Sequence, residues 1–276
     1  MIDEKDFLQL LDDVIDKEDK IIVIYSDLIN LLSNINFNLN KNENLVEKIL
    51  DLIEYKIGKE RTLILPSFSG KAFQKKKIFD IDKTIDKDNG LLSLTAFKRK
   101  YFRTSNPIHS YIVYGGKKDL KERKFISSYG KNSILEYFSE KNVRICSLGL
   151  PWNKGCAYLH RFEQLYEVPW RYPKVFTGKL KKNNRIIGDC YEEKFCSSNL
   201  TPLKYNFKSF NKKIEKAKSF KKSSNKLIKL ESIKVTCLNR IGKKIFDLNP
   251  WIIINNKRET KNWIKNFKKL ELENKL

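Results

Sequence analysis

A chain of 276 residues can bury one large core or two modest ones, and 41% hydrophobic with 12% aromatic content excludes a disordered composition. The formal charge of +23 raises nucleic acid as a partner. Against it, lysine outnumbers arginine, whose planar fork suits phosphates and bases better, and the positive residues are dispersed, with their densest run at "KSFNKKIEKAKSFKKSSNK" (208–226). Richness in Lys, Asn and Ile is what an AT-rich genome places on solvated surfaces, so nucleic acid is an unlikely partner; anionic ligands are favoured over cationic ones. No apolar run approaches a membrane span. The acidic, amphipathic start "MIDEKDFLQLLDDVID" lacks the basic region and unbroken apolar stretch of a secretory signal, so a cytoplasmic protein is expected. The five cysteines are odd in number and form no CxxC pair, so neither a disulfide framework nor a metal site is suggested.

In chain order, apolar residues at helical spacing predict a helix over 6–15. The β-branched run "IIVIY" within 19–28 predicts a buried strand. The segment 43–58 repeats a helical pattern and ends at Gly58, a plausible C-cap. "RTLILPSFS" (61–69) reads as a second buried strand that stops at Pro66. Helix, strand, helix, strand within seventy residues points to an α/β layered sheet with flanking helices. A helix over 90–101, strands over 110–116 and 143–151, and an amphipathic helix over 132–140 follow. "GCAYLHRFEQLYEV" (155–168) fits a helix, with Tyr158 and Phe162 four apart. Beyond 170 the pattern loosens into an elaborated, partly antiparallel C-terminal part: "PKVFTGKL", "RIIGDCYEEKF", "LIKLESIKVTCL" and "PWIIINN". No repeat or clean linker divides the chain, so residues 1–276 are expected to form one α/β domain, with room for a homodimer.

The chain holds only two histidines. In "HRFE", His160 and Glu163 are three apart, which on a helix sets them on one face, roughly 5–6 Å between Cβ atoms. A carboxylate there can accept one imidazole N–H, fix the tautomer and leave the other nitrogen to take a proton. A surface pair is the bland alternative, but the apolar approach Cys156–Leu159 argues for burial. In "NPIHSYIVYG", Pro107 favours an extended backbone and puts His109 and Ser110 at the start of a strand, where α/β proteins place binding groups. Cys156, four residues before His160, is the cysteine to watch as a nucleophile.

The order of these motifs resembles the aminoglycoside 3-N-acetyltransferase family over nearly the whole length. "IIVIYSDL", "RTLILPSFS", "FDIDKTIDKDNGLL", "RTSNPIHS", "SLGLPWNKGCAYLHRFE", "VPWRYPKVFTG" and "NPWIII" are similar to successive family elements. The resemblance implies an acetyl-CoA-dependent N-acetyltransferase acting on an amino sugar, with acetyl-CoA as cosubstrate. It implies that His160 and Glu163 belong to the active site. His109, Ser110, Ser105 and Arg103 would line the acetyl-CoA cleft. Ser26, Asp27 and Leu28 would lie near the cofactor's phosphates, and Thr62, Pro66 and Ser67 would face its pantetheine arm. Asn106 and Ala157 stand where the family carries a histidine and often a threonine.

These residues predict direct transfer with His160 as base, while His109, Ser110 and Ser105 steady the thioester carbonyl. An acyl-enzyme through Cys156 or Ser110 is the alternative. The acceptor is open between a polycationic aminoglycoside and an anionic nucleotide-linked or surface-glycan amino sugar. The first needs a local acidic patch, for which Asp80, Asp82, Asp86, Asp88, Glu163, Glu167, Asp189, Glu192 and Glu193 are candidates. The rival class is a non-catalytic relative, or a basic nucleic-acid binder using residues 204–276.

Overall fold

The computed structural model describes residues 1–41, 43–116, 118–198, 201–223, 225 and 227–274, without the side chains of 154, 155 and 268–274. Its strands are β1 (Ile21–Ser26), β2 (Thr62–Pro66), β3 (Ile78–Asp80), β4 (Phe102–Arg103), β5 (Tyr111–Gly115), β6 (Arg144–Leu148), β7 (Tyr172–Lys182), β8 (Arg185–Cys196), β9 (Lys221–Lys222) and β10 (Leu230–Lys234). Seven form one sheet in the order β4-β5-β2-β1-β6-β10-β9, and β3-β7-β8 form a second. In the seven-stranded sheet β2, β1 and β6 run parallel to one another, flanked by antiparallel β5 and β10. In the second sheet β7 pairs parallel with β3 and antiparallel with β8.

β1 shows why the centre is parallel. Ile21 to Tyr25 are buried on both faces, so the strand reads as an unbroken apolar run. Ile22 and Ile24 pack on one side with the helices Glu4–Val14 and Leu45–Ile57. Ile21, Val23 and Tyr25 pack on the other with the segments that bring in Phe162 and Phe246. The helix Leu45–Ile57 is capped by Asn44, whose side chain accepts from the N–H groups of Val46 and Glu47, and ends at Gly58 with φ 70°.

The C-terminal part is antiparallel as expected where its first two pieces pair, and departs from the expectation at "PWIII". "PKVFTGKL" and "RIIGDCYEEKF" are two arms of one long hairpin, turned by Asn183 and Asn184 at φ 48° and 62°. "PWIII" is not extended. Asn249 accepts the N–H of Trp251, and Pro250 at the first position starts a 3-10 turn over Pro250–Ile253.

The segment 155–168 is also not one helix. A short helix Trp152–Gly155 ends at Cys156, whose φ −82° and ψ 99° are extended, and a new helix runs Leu159–Leu165. This break turns the chain after β6 and sets His160 over the carboxyl ends of the parallel strands, where α/β folds place their sites. Gly149 makes the turn possible: its φ is +83°, and a Cβ there would lie 1.8 Å from the carbonyl oxygen of Asp27.

Candidate active site

His160 and Glu163 meet on their helix as the i, i+3 spacing predicts, with Nδ1 2.6 Å from Oε2. Glu163 is buried and its other oxygen accepts from Trp170 Nε1 and from the Tyr205 hydroxyl, both at 2.8 Å. Arg171 adds an ion-pair contact of 2.8 Å to Oε2. Burial opposes the charge on Glu163, but the His160 hydrogen bond and the Arg171 charge hold its pKa below the ordinary carboxylate value.

An ionised Glu163 can only accept, so Nδ1 carries the hydrogen and Nε2 keeps its lone pair. Arg171 Nη2 lies 3.0 Å from Nδ1 but cannot donate to a protonated nitrogen; its hydrogens go to the Tyr205 hydroxyl, also at 3.0 Å. The His160 side chain is 31% exposed, so the ring is not walled off. Burial, and after it the Arg171 charge, keep its pKa below the ordinary value against the pull of Glu163. At neutral pH it is a neutral imidazole with an open nitrogen.

His109 also meets a carboxylate, through a serine. Its Nδ1 is 2.9 Å from Ser128 Oγ, and that hydroxyl donates to Glu192 Oε1 at 2.5 Å. Glu192 is fully buried and further accepts the backbone N–H groups of Ile108 and His109. His109 Nε2 is 3.1 Å from the Tyr129 hydroxyl. Both ring nitrogens are thereby engaged inside the protein, so His109 as placed has no N–H for a thioester oxygen. Ser110 is in the same position: its hydroxyl donates to the Ser67 carbonyl at 2.7 Å. It also accepts from Arg103, whose Nη2 reaches the Ser67 carbonyl.

Arg103, Ser67 and Ser110 therefore form a buried brace beneath the site, with the guanidinium between the rings of Phe79 and Phe97. Asn106 is part of the same loop scaffold. It accepts from Thr104 and donates to the His109 carbonyl, and its buried side chain does not line the cavity. Ser105 is half-buried and lies outside the cavity lining. Ser26, Asp27 and Leu28 sit at the carboxyl end of β1 beside Gly149 and Gly90, but none of them lines the cavity described below, and Leu28 packs into the core on the opposite face of the sheet. Thr62 starts β2 while Pro66 ends it, so Thr62 lies at the far end of the strand and fully buried.

A cavity of about 750 Å³ opens over these strand ends, lined by Phe68, His109, Tyr129, Cys156, Leu159 and His160, with Tyr205 to Lys208 on its other wall. Ala157 lines it too, so the missing hydroxyl leaves that wall apolar. Cys156 is buried and its thiol is pushed up to about 12, which leaves no thiolate at neutral pH. Among the described lining residues, Lys208 is the one with a fixed charge.

A smaller cavity of about 260 Å³ shares Phe68 and His109 and adds Lys71, Asp86, Asp88 and Lys194. There Asp86 accepts the N–H groups of Lys71 and Ala72, and Asp88 pairs with the Lys71 ammonium at 2.6 Å. Of the other acidic candidates, Glu163 and Glu192 are already bonded, Asp80 pairs with Lys181, and Asp189 pairs with Lys179. Glu193 binds Gln164.

Motif reasoning missed Arg171, Trp170 and Tyr205, which complete the shell of Glu163, and Ser128 and Tyr129, which complete that of His109. Arg171 and Trp170 stand in the "VPWRYP" segment, but nothing in its spacing points at His160. Glu192 was visible only as one acidic residue among several.

A histidine with a carboxylate-fixed tautomer, open to a cavity on an α/β sheet, has the chemistry to take a proton from a nucleophile. A family model described as aminoglycoside 3-N-acetyltransferase matches residues 33–240. The chain belongs to that family of acyltransferases, for which acetyl-CoA is the cosubstrate. A comparison with curated proteins gives no match.

Solved structures share the fold. The crystal structure of the aminoglycoside acetyltransferase AAC(3)-IIb is 13% identical, with TM-score 0.69 over 90% of this chain and 98% of that one. AAC-IIIb in a binary complex with CoASH is 13% identical, with TM-score 0.67 over 88% and 96%. AAC-VIa bound to sisomicin is 10% identical, with TM-score 0.69 over 89% and 97%.

Proposed function

We propose that the protein, working as one unit over residues 1–276, transfers acetyl directly from acetyl-CoA to the amino group of an amino sugar, with His160 as general base. The observation that carries this is the 2.6 Å bond from His160 Nδ1 to buried Glu163, which leaves Nε2 open to the cavity. The CoASH complex of AAC-IIIb supports the choice of donor. The cavity suits it: Phe68, Leu159 and Phe207 offer apolar wall for a thin arm, while Asn206, Asn211 and Lys208 offer polar and positive groups. When bound, acetyl-CoA supplies an acetyl group activated as a thioester.

His160 Nε2 accepts a proton from the amine nitrogen as that nitrogen bonds to the acyl carbon. The carbon–sulfur bond breaks, the departing sulfur leaves with the electron pair, and the proton taken by His160 passes to it, which yields the free thiol and restores the neutral imidazole. Glu163 stays ionised throughout, holding Nδ1–H and balancing the imidazolium. Direct transfer is favoured over an acyl-enzyme because Cys156 is held as a thiol and Ser110 is bonded away from the cavity.

For the acceptor we favour an amino sugar that carries an anionic group, such as a nucleotide-linked or surface-glycan sugar. The carboxylates near the two cavities are already engaged, Asp88 by the Lys71 ammonium and Asp86 and Glu192 by N–H and O–H donors, whereas Lys194 and Lys208 have no ion-pair partner among the described residues. A polycation would meet positive walls. With no described helix long and apolar enough to cross a membrane, and with acetyl-CoA as donor, we place the reaction in the cytoplasm.

The test is His160→Ala on folded protein with acetyl-CoA and a panel of amino sugars. Turnover is expected to fall by roughly 10²–10⁴-fold. Turnover at the wild-type rate would overturn the assignment. A preference for aminoglycosides over nucleotide-linked amino sugars would overturn the choice of acceptor.

A further inference from the structure

Glu192, Ser128, His109 and Tyr129 form a chain of hydrogen bonds whose every direction is set by its first member. An ionised carboxylate accepts only, so the Ser128 hydroxyl spends its one hydrogen on Glu192 Oε1 at 2.5 Å. Ser128 Oγ must then accept at 2.9 Å from His109 Nδ1–H. His109 Nε2, left with a lone pair, must accept the Tyr129 hydroxyl hydrogen at 3.1 Å. The last link, Tyr129, is one of the cavity's lining residues, and its hydroxyl hydrogen is committed to His109, so its oxygen is left to act as an acceptor.

Tyr129 is fixed at both ends. Arg161, the neighbour of His160 in sequence, donates to the backbone carbonyls of Tyr129 and Gly130 at 2.8 Å. The tyrosine ring lies between the two imidazoles, 4.9 Å from His109 and 5.3 Å from His160 by centroid.

We infer that Tyr129 is the residue that orients the attacking amine, and that His109, Ser128 and Glu192 are positioning residues that hold its hydroxyl as an acceptor. This rests on the acetyl-transfer reading above. A neutral primary amine has two N–H bonds and one lone pair. To attack, the lone pair must face the acyl carbon, so both N–H bonds need acceptors elsewhere. His160 Nε2 takes one, with the proton that transfers; Tyr129 Oη holds the other, which stays on nitrogen. Burial keeps the phenol protonated, so it orients rather than deprotonates. A sugar hydroxyl has one hydrogen and cannot satisfy both acceptors, so the same pair selects nitrogen over oxygen.

The test is a double-mutant cycle on the amine transfer reaction. Tyr129→Phe keeps the ring and is expected to lower kcat by roughly 10- to 100-fold, the loss of one buried hydrogen bond, with KM for acetyl-CoA little changed. Glu192→Gln can still accept the two backbone N–H groups, so the loop has its anchor, but it no longer dictates the polarity of the chain. Alone it is expected to lower kcat several-fold; in the Tyr129→Phe background it is expected to lower it no further, because the group it acts through is gone. A merely structural role would give multiplying losses.

Full activity of Tyr129→Phe, or independent effects of the two substitutions, overturns the inference. If Glu192→Gln fails to fold, His109→Gln takes its place in the cycle with the same expectations. A dead His160→Ala beside an unimpaired Tyr129→Phe sinks this inference alone; an active His160→Ala sinks the acetyl-transfer mechanism beneath it.

Discussion

The two oxygens of Glu163 meet four groups: His160, Arg171, Trp170 and Tyr205. That crowding fixes the sign of the pH dependence. A base must be neutral to act, and His160 titrates below its ordinary value of 6.5. The acid limb of kcat/KM is therefore expected below pH 6.5, with no loss from His160 above it. Arg171 is one cause of the lowering, so Arg171→Met is expected to move that limb upward, as read from kcat/KM between about pH 5 and about pH 8. The same residues show what spacing can reveal. His160 and Glu163 were legible because one helical turn joins them. Arg171 and Tyr205, 11 and 45 positions from His160 in sequence, arrive on two separate connecting segments, and only the folded chain brings them in.

 Arg171 immediately precedes β7, and Tyr205 lies between β8 and the helix Lys208–Glu215. Glu192 reaches His109 the same way, across the gap between the two sheets, which no local pattern announces.

At the scale of elements, the helix Leu159–Leu165, which carries His160, packs against the helix Val235–Leu248. They meet at Gly242, where an added Cβ would lie 2.2 Å from the Phe162 ring. Alanine there would gain about 1 kcal/mol of helix propensity, but forcing a methyl into a filled contact costs about 1–3 kcal/mol. Phe162 is buried and cannot swing into solvent, so the packing cost is expected to win. Gly242→Ala should therefore lower the urea midpoint and, by displacing the helix that carries His160, lower kcat as well. A raised midpoint with unchanged kcat would show that the two helices have slack. Elements were legible in the sequence where one period ran unbroken, as in β1 and the helix Leu45–Ile57. They were illegible where one backbone angle decides. The extended Cys156 splits an apparently continuous helical pattern, and Asn249 with Pro250 turns an apparent strand into a 3-10 turn. Thr62 shows the related limit: a strand can be read from its residues, but which end faces the cavity depends on what it pairs with.

For the molecule as a whole, both histidines titrate below their ordinary value, and burial is the largest cause for each. A histidine with a lowered folded pKa costs no stability above pH 6.5, where both states are neutral. As pH falls below 6.5 the unfolded chain binds the proton first, so stability declines toward the folded pKa values. The urea midpoint is accordingly expected to drop between about pH 7 and about pH 5.5, before most carboxylates titrate. A flat midpoint across that range would mean that the imidazoles are not held neutral by the fold.

The net charge of +23 makes a further expectation about reactants rather than stability. A field of that sign gathers anions and repels cations, and salt weakens both effects as the screening length falls from roughly 14 Å at about 0.05 M to roughly 4 Å at about 0.5 M. For an anionic amino sugar, kcat/KM at saturating acetyl-CoA should fall across that salt range. For an aminoglycoside, salt should relieve repulsion, and kcat/KM should rise. The sign of the slope thus separates the two acceptor classes without knowing the particular sugar. It also tests Lys194: Lys194→Met should flatten the negative slope for an anionic acceptor if that half-buried, unpaired ammonium beside His109 meets the charge directly. It should leave the slope unchanged if attraction comes only from the dispersed surface lysines. A steep slope that survives Lys194→Met would shift the recognition of the anion to Lys208 or to the surface.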